Sequence, residues 1–149
     1  MRMNEPEEVG VNGLATPQTV GELLTQGPVL GIVGMSLDDA AKLMEFYGVG
    51  GLPVIDWEGR LVGVIGRTDL LHARMNESSW RAGPRLSVDQ LMSQPAVTIG
   101  SDSFIDEAAE VMERLRIHRL VVLGPDGESP IGVLAATDLV RPIAERDAS

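Results

Sequence analysis

Apolar residues recur along this chain at spacings typical of helices and of strands. The spacing i, i+3, i+4, i+7 predicts one buried helical face, at Leu37, Ala40, Ala41 and Met44. Apolar runs at 52–55 and 61–65 flank a glycine-containing segment at 57–60, which favours two strands joined by a hairpin turn. A β-rich run at 28–33 precedes the helix, and the Thr-Asp pair at 68–69 predicts the start of a closing helix. Together these elements indicate an α/β unit.

The whole pattern occurs a second time farther along the chain. The second helical face has the same spacing, at Ile105, Ala108, Ala109 and Met112. Two further apolar runs, 120–123 and 131–134, flank an Asp-Gly turn. Polar positions recur as well, in the pairs Gln26/Gln94, Asp38/Asp106, Glu45/Glu113, Thr68/Thr137 and Asp69/Asp138. Chance similarity of two amphipathic stretches does not account for matched polar residues, so we infer two copies of one structural unit.

Helix-start signals and polar segments set the limits of the two copies. Each copy opens with the residue pair of a capping box, at Thr19/Glu22 and Ser87/Gln90. Gly83 and Pro84 mark a polar segment as the linker between the copies. The predicted division is therefore a flexible N-terminal tail at 1–18, a first repeat at 19–74, a linker at 75–86, a second repeat at 87–143 and a C-terminal tail at 144–149.

Composition removes several classes of function. The chain has 12 Lys and Arg against 22 Asp and Glu, a net charge of −10, which disfavours binding to nucleic acid through a positive surface. The absence of cysteine excludes a disulfide framework, a thiolate nucleophile and a cysteine metal site. No apolar stretch approaches the ~18 residues of a membrane helix. We expect a cytoplasmic protein with no membrane or nucleic-acid partner.

The repeated pattern resembles a tandem pair of cystathionine-β-synthase (CBS) domains, known as a Bateman module. The resemblance rests on the strand Leu-Pro-Val-Ile-Asp at 52–56 and on the stretches GVIGRTDLL and GVLAATDLV, and it covers about 19–143. It implies an α/β fold in which two β-α-β-β-α repeats pack about a pseudo-two-fold axis. It further implies two clefts that receive adenosine compounds, and assembly of modules into homodimers.

The family's ligand motif transfers only in part to this chain. Its final carboxylate, which accepts hydrogen bonds from ribose hydroxyls, falls at Asp69 and Asp138. Its earlier hydroxyl, which meets phosphate, is replaced by Gly66 and Ala135, and each replacement removes a contact of about 1 kcal/mol. The resemblance therefore implies weakened rather than abolished binding.

Each motif carboxylate has a second interpretation. An acid in the first turn of a helix stabilises the helix dipole by about 0.3–1 kcal/mol without any ligand. Asp69 and Asp138 are thus helix caps or ribose ligands, and the residues alone do not separate the two. Thr68 and Thr137 precede them and are included as candidate ligand-binding residues.

The second copy carries a cluster of basic side chains that the first lacks. The cluster is Arg114, Arg116, His118 and Arg119, and the matching positions of the first copy are Phe46, Gly48, Gly50 and Gly51. Such a cluster in an acidic protein favours anion binding. By resemblance, Ile117, His118 and Arg119 line a nucleotide cleft. Alternatives remain, because Arg114 suits the helix C-terminus and His118 suits a hydrogen-bonded core or interface position.

Two functional hypotheses follow from this sequence. The first is a stand-alone regulatory protein that binds an adenosine-type ligand between its copies and signals through conformation, dimerisation or an unidentified protein partner. The second is a structural interaction module with little or no nucleotide binding. We find no nucleophile–base pattern and no zinc spacing, so we expect no enzymatic activity, no catalytic or metal residue and no required cofactor.

Overall fold

The structure is a computed structural model that describes residues 18–24, 27–75 and 86–148, and both copies show the same order of elements. The first copy contains α1 Val20–Leu23, β1 Gly31–Ile32, α2 Leu37–Tyr47, β2 Gly51–Ile55, β3 Leu61–Gly66 and α3 Arg67–Met75. The second contains α4 Val88–Leu91, β4 Thr98–Gly100, α5 Ile105–Leu115, β5 Arg119–Leu123, β6 Pro130–Ala135, a 3₁₀ turn Ala136–Leu139 and α6 Val140–Ala148. The predicted β-α-β-β-α order is confirmed in both. No helix within these ranges is long and apolar enough to cross a membrane.

Each copy builds one three-stranded sheet of the same topology. β1 pairs with β2 and β4 with β5 in parallel, whereas β2–β3 and β5–β6 are antiparallel hairpins. The hairpin turns pass through Gly59 at φ 85° and Gly127 at φ 75°. Glycine adopts this left-handed backbone without steric cost, which is why the glycine-containing turns were reliable sequence signals.

The two long helices end with the same backbone conformation but with different residues. After α2, Gly48 takes a φ of 68°, and its N–H donates to the carbonyl of Met44. After α5, Arg116 takes a φ of 58°, and its N–H donates to the carbonyl of Met112. A glycine at this position is expected, whereas an arginine carries a steric penalty.

The leading helices are exchanged between the two cores. Val20 of α1 is fully buried in the core of the second copy, and Val88 of α4 is fully buried in the core of the first. Backbone hydrogen bonds fix both helices, from Val20 N to Ser103 O at 2.9 Å and from Val88 N to Met35 O at 2.8 Å. These reciprocal contacts are those of a pseudo-two-fold axis, so neither sequence repeat is a packing unit by itself.

The structure differs from the predicted division of the chain at both tails, and parts of the N-terminal tail and of the linker lie outside the described residues. The C-terminal tail predicted at 144–149 is helical as far as Ala148, because α6 continues past Ile143, which packs against the second core. Residue 18, assigned to the N-terminal tail, accepts a backbone hydrogen bond from Ile105. The rest of that tail, 1–17, and most of the linker, 76–85, lie outside the described residues.

Candidate ligand clefts between the two copies

Two clefts form where the copies meet, and each takes one wall from each copy. The Asp69 cleft is lined by Val64 and Thr68 of the first copy and by Ser93, Pro95, Val97, Ile117, His118 and Arg119 of the second. It is named after Asp69, which contacts the lining residue Arg119 but is not itself among the described lining residues. The Asp138 cleft is lined by Ile131, Gly132, Val133 and Asp138 of the second copy and mainly by Leu23, Leu24, Val29 and residues 48–51 of the first. Many positions correspond, such as Val97 with Val29, so the pseudo-two-fold axis relates the two clefts.

The clefts differ in size. The Asp69 cleft encloses about 450 Å³ and the Asp138 cleft about 130 Å³. Small-molecule sites commonly enclose about 300–1,000 Å³. Only the Asp69 cleft is therefore open enough for a nucleoside as the walls now stand, and a ligand in the Asp138 cleft requires its walls to separate.

Both motif carboxylates are held by their own backbone. Asp69 Oδ2 accepts a hydrogen bond from Gly66 N at 2.8 Å, and Asp138 Oδ2 accepts one from Ala135 N at 2.8 Å. The capping interpretation is thus confirmed for both residues. Capping does not exclude ribose binding, because a carboxylate offers about four acceptor positions and the backbone N–H occupies one of them.

Arg119 crosses from the second copy to the motif of the first. Its Nη1 donates to Thr68 Oγ1 at 3.1 Å, and its Nη2 lies 3.3 Å from Asp69 Oδ2. The side chains of Arg119 and Asp69 are only 21% and 19% exposed, so this ion pair is partly desolvated. Asp69 therefore already has a cationic partner from the opposite copy.

Another arginine, Arg67, lies at the edge of the Asp138 cleft and was missed in the sequence analysis. Its Nη1 is 3.5 Å from the position that a Cβ on Gly50 would occupy, and Gly50 lines this cleft. Arg67 directly follows Gly66 in the motif stretch, where the second copy has Ala136. That asymmetry between aligned motifs was the signal available in the sequence.

The structure divides the predicted site residues between the two clefts. Thr68, Ile117, His118 and Arg119 line the Asp69 cleft, and Asp69 lies beside it in contact with Arg119. Asp138 lies in the other cleft, because each cleft combines the motif of one copy with the opposite copy's strand start. Thr137 is exposed and is not among the described residues that line the Asp138 cleft.

The basic cluster of the second copy also divides. Arg116 lines a separate groove between α5 and α6, together with Glu113 and His118, and Arg114 is exposed on α5. His118 is itself exposed, which rules out its interpretation as a core residue. Within the described ranges, no group of three or more His, Cys, Asp or Glu side chains has the arrangement of a metal site.

Two α/β units that exchange leading helices, with a motif carboxylate at or beside each inter-copy cleft, define a tandem two-copy module. The sequence matches the CBS domain family twice, at 20–76 and 88–145. The chain belongs to the CBS domain family and carries its domain in tandem, which confirms the resemblance drawn from the sequence.

Curated relatives include enzymes and a protein described by its CBS domains. The chain is 33% identical over 116 residues to an inosine-5'-monophosphate dehydrogenase of Korarchaeum cryptofilum, covering 75% of this chain and 22% of the enzyme. It is 30% identical over 149 residues to the chloroplastic CBS domain-containing protein CBSX2 of Arabidopsis thaliana, covering 83% of this chain and 62% of that protein. The chain thus spans about a fifth of the first relative and under two thirds of the second.

Solved structures show the same fold. The CBS domain pair of protein MJ0100, in complex with 5'-methylthioadenosine and S-adenosyl-L-methionine, superposes with a TM-score of 0.72 at 23% identity, covering 87% of this chain and 99% of that chain. CBSX2 in complex with AMP gives 0.64 at 30% identity, with 88% and 99% covered. The predicted fold of two packed α/β repeats is therefore confirmed.

Proposed function

We propose that this chain is a regulatory module that binds an adenosine-type ligand in the clefts between its copies and catalyses no reaction itself. The observation that carries the proposal is the same in both clefts. A carboxylate, Asp69 or Asp138, is fixed by its own backbone at a helix start; Asp138 lines its cleft, and Asp69 contacts Arg119 of the opposite copy. Such a carboxylate is oriented in advance to accept ribose hydroxyls. The AMP complex of CBSX2 supports the choice of an adenosine compound.

Signalling follows in this proposal from the two-copy construction of each cleft. A ligand that touches walls from both copies binds best where those walls are close, and so shifts the population towards that packing. The exchanged helices α1 and α4 link the two cores, so a change in spacing at one cleft affects the whole module. Ligand identity, protein partner and the expected cytoplasmic location stay predictions.

A homodimer is part of the proposal. Large apolar side chains are exposed on α2 and α3 of the first copy and at α5 and α6 of the second, at Phe46, Tyr47, Leu71, Met75, Leu115 and Val140. A surface built from equivalent helices of both copies is itself approximately two-fold symmetric, which suits contact with a second copy of the chain. Phe46, 80% exposed, provides the test. Phe46→Asp should give a monomer in sedimentation equilibrium, and an unchanged mass would exclude Phe46 from the contact.

Calorimetric titration with AMP, ADP, ATP, adenosine and S-adenosylmethionine tests the ligand assignment. Asp69→Ala and Asp138→Ala should each weaken the binding of the preferred compound at one site by about tenfold or more, because each removes a charge-assisted hydrogen bond. Glu107→Ala is the matched control, because Glu107 Oε1 accepts a hydrogen bond from Phe104 N in the same capping arrangement but away from both clefts. Equal affinities in all variants would exclude the motif carboxylates as ligands.

A specific observation favours the interaction module as the second candidate. The motif hydroxyls are absent at Gly66 and Ala135, and the Asp138 cleft encloses only about 130 Å³. If no adenosine compound binds the folded, ligand-free protein at millimolar concentration, while Phe46→Asp still converts a dimer to a monomer, the interaction module is the correct function.

A further inference from the structure

The guanidinium of Arg119 occupies space that the motif leaves empty at Gly66. A Cβ on Gly66 would lie 2.2 Å from Arg119 Nη1 and 2.8 Å from Arg119 Cζ, far inside contact distance. The departure from the family's hydroxyl is therefore coupled to the arginine, because any side chain at position 66 collides with it. Glycine is the residue that lets Arg119 reach Thr68 and Asp69.

The other cleft has no counterpart of this contact among the described residues. The position that aligns with Arg119 is Gly51, and the position that aligns with Gly66 is Ala135. Arg67, the cation near the Asp138 cleft, lies over Gly50 and makes no hydrogen bond or ion pair with Asp138 in the described part of the chain. The ion pair across the copies thus distinguishes one cleft from the other.

We propose that Arg119 is an internal counter-ion that closes the Asp69 cleft to uncharged nucleosides and admits phosphate-bearing ones. The inference rests on the proposed function and deepens it. A nucleoside whose ribose hydroxyls bind Asp69 must displace Arg119 Nη2, and this leaves a partly buried guanidinium without its anionic partner. A nucleotide brings its own acceptor, because a phosphate pairs with a guanidinium in a bidentate, charge-assisted manner.

Displacement of Arg119 also alters the contact between the copies. In the ligand-free chain the second copy is joined directly to the motif of the first through Arg119, Thr68 and Asp69. With a nucleotide bound, the same two walls are joined through the ligand, by ribose on Asp69 and phosphate on Arg119. Entry of the ligand is therefore itself the event that changes inter-copy spacing, and it depends on ligand charge.

Titration of AMP and adenosine against one set of variants tests the proposal. All variants carry Asp138→Ala, so that binding reports the Asp69 cleft. In this background AMP should bind at least about tenfold more tightly than adenosine, because it makes one additional charge-assisted contact with Arg119. Arg119→Ala should weaken the binding of AMP and strengthen the binding of adenosine, so that the ratio of the two affinities falls below about threefold. Arg114→Ala removes the same charge from exposed α5 and should leave the ratio unchanged.

Gly66→Ala provides a second and independent variant, because it adds a Cβ without the hydroxyl that would meet phosphate. The new side chain should expel Arg119 from Asp69 and lower the AMP-to-adenosine ratio as Arg119→Ala does. Ala135→Gly, the reverse change at the matching position of the other copy, is its control and should leave the ratio unchanged. Circular dichroism confirms folding, and if Gly66→Ala does not fold, the shift of the Arg119 Nε–H NMR signal on adding AMP to the otherwise unaltered chain decides instead.

The outcomes separate this inference from the proposed function. If Arg119→Ala weakens both ligands equally, or changes neither, Arg119 is not a displaceable counter-ion although the module still binds nucleotides. An Arg119 Nε–H signal that AMP leaves unmoved has the same meaning. If neither ligand binds any variant, nor the unaltered chain, the proposed function fails and this inference fails with it.

Discussion

Arg116 offers a direct test of how backbone conformation is stabilised in the two copies. It ends α5 with a φ of 58°, where its counterpart Gly48 ends α2 with a φ of 68°. We expect Arg116→Gly to stabilise the chain against unfolding, since the substitution places in the second copy the residue type that the first copy has at the same turn. Arg116→Ala is the control, because it removes the same side chain but keeps a Cβ.

The magnitude follows from two opposing terms. A left-handed backbone costs a residue with a Cβ about 1–2 kcal/mol, which glycine avoids. Glycine in turn loses about 0.4–1 kcal/mol more than alanine in chain entropy on folding. The attraction between Arg116 and the helix C-terminus is lost in both variants and cancels. Arg116→Gly should therefore be about 1 kcal/mol more stable than Arg116→Ala, or about 2–4 °C in Tm for a chain of this size.

Urea unfolding followed by circular dichroism measures this difference, with thermal melts as a check on its sign. Gly48→Ala supplies the mirror experiment and should destabilise the chain by about 1 kcal/mol. Equal midpoints for Arg116→Gly and Arg116→Ala would show that the left-handed turn is unstrained. In that case the steric argument would fail for both copies.

Two further predictions concern inter-copy packing and acid stability. Gly63→Ala should destabilise the chain by about 1–3 kcal/mol, because its Cβ would lie 2.8 Å from the backbone oxygen of Ser93. Gly132→Ala should cost less in the same urea titration, since its Cβ meets only the movable side chain of Leu24 at 3.0 Å; equal costs would contradict this reasoning. Hydrogen bonds from the neighbouring hydroxyl and backbone N–H groups lower the pKa of Asp126 to about 2. The stability that ionised Asp126 contributes should be complete above its unfolded pKa of 3.8 and should disappear as the pH falls through about 2. The urea midpoint of Asp126→Asn should therefore approach that of the unaltered chain over this interval. A difference that does not depend on pH would refute the assignment.

The local architecture was predictable because its signals are local. Apolar positions three and four residues apart predicted the buried faces of α2 and α5, and Leu37, Met44, Ile105 and Met112 are buried as expected. Glycines at the hairpin turns predicted positions that do require positive φ. The capping pairs predicted helix starts, and Thr19 N and Ser87 N donate to the side chains of Glu22 and Gln90.

The exchange of leading helices was not predictable from the same signals. Val20 and Val88 show that their helices have a buried face, but either core satisfies that pattern equally well. The spacing of apolar residues indicates that a side chain is buried, but it does not indicate which copy buries it. The same limit applies to the motif carboxylates: Asp138 is nearer to Arg119 in the chain, whereas the packing turns Arg119 towards Asp69.

The missing hydroxyls of the motif illustrate why a departure from a family pattern needs its spatial partner. Read along the chain, Gly66 and Ala135 are equivalent losses of one phosphate contact. In the fold they differ, because a Cβ at Gly66 would lie 2.2 Å from an arginine nitrogen of the opposite copy, whereas the position that matches this arginine for Ala135 is Gly51, which has no side chain. One loss is thus coupled to a gained cation and the other is not. The two clefts of a nearly symmetric module therefore differ in the ion pairing of their motif carboxylates, and the residue responsible is distant in sequence from the motif it alters.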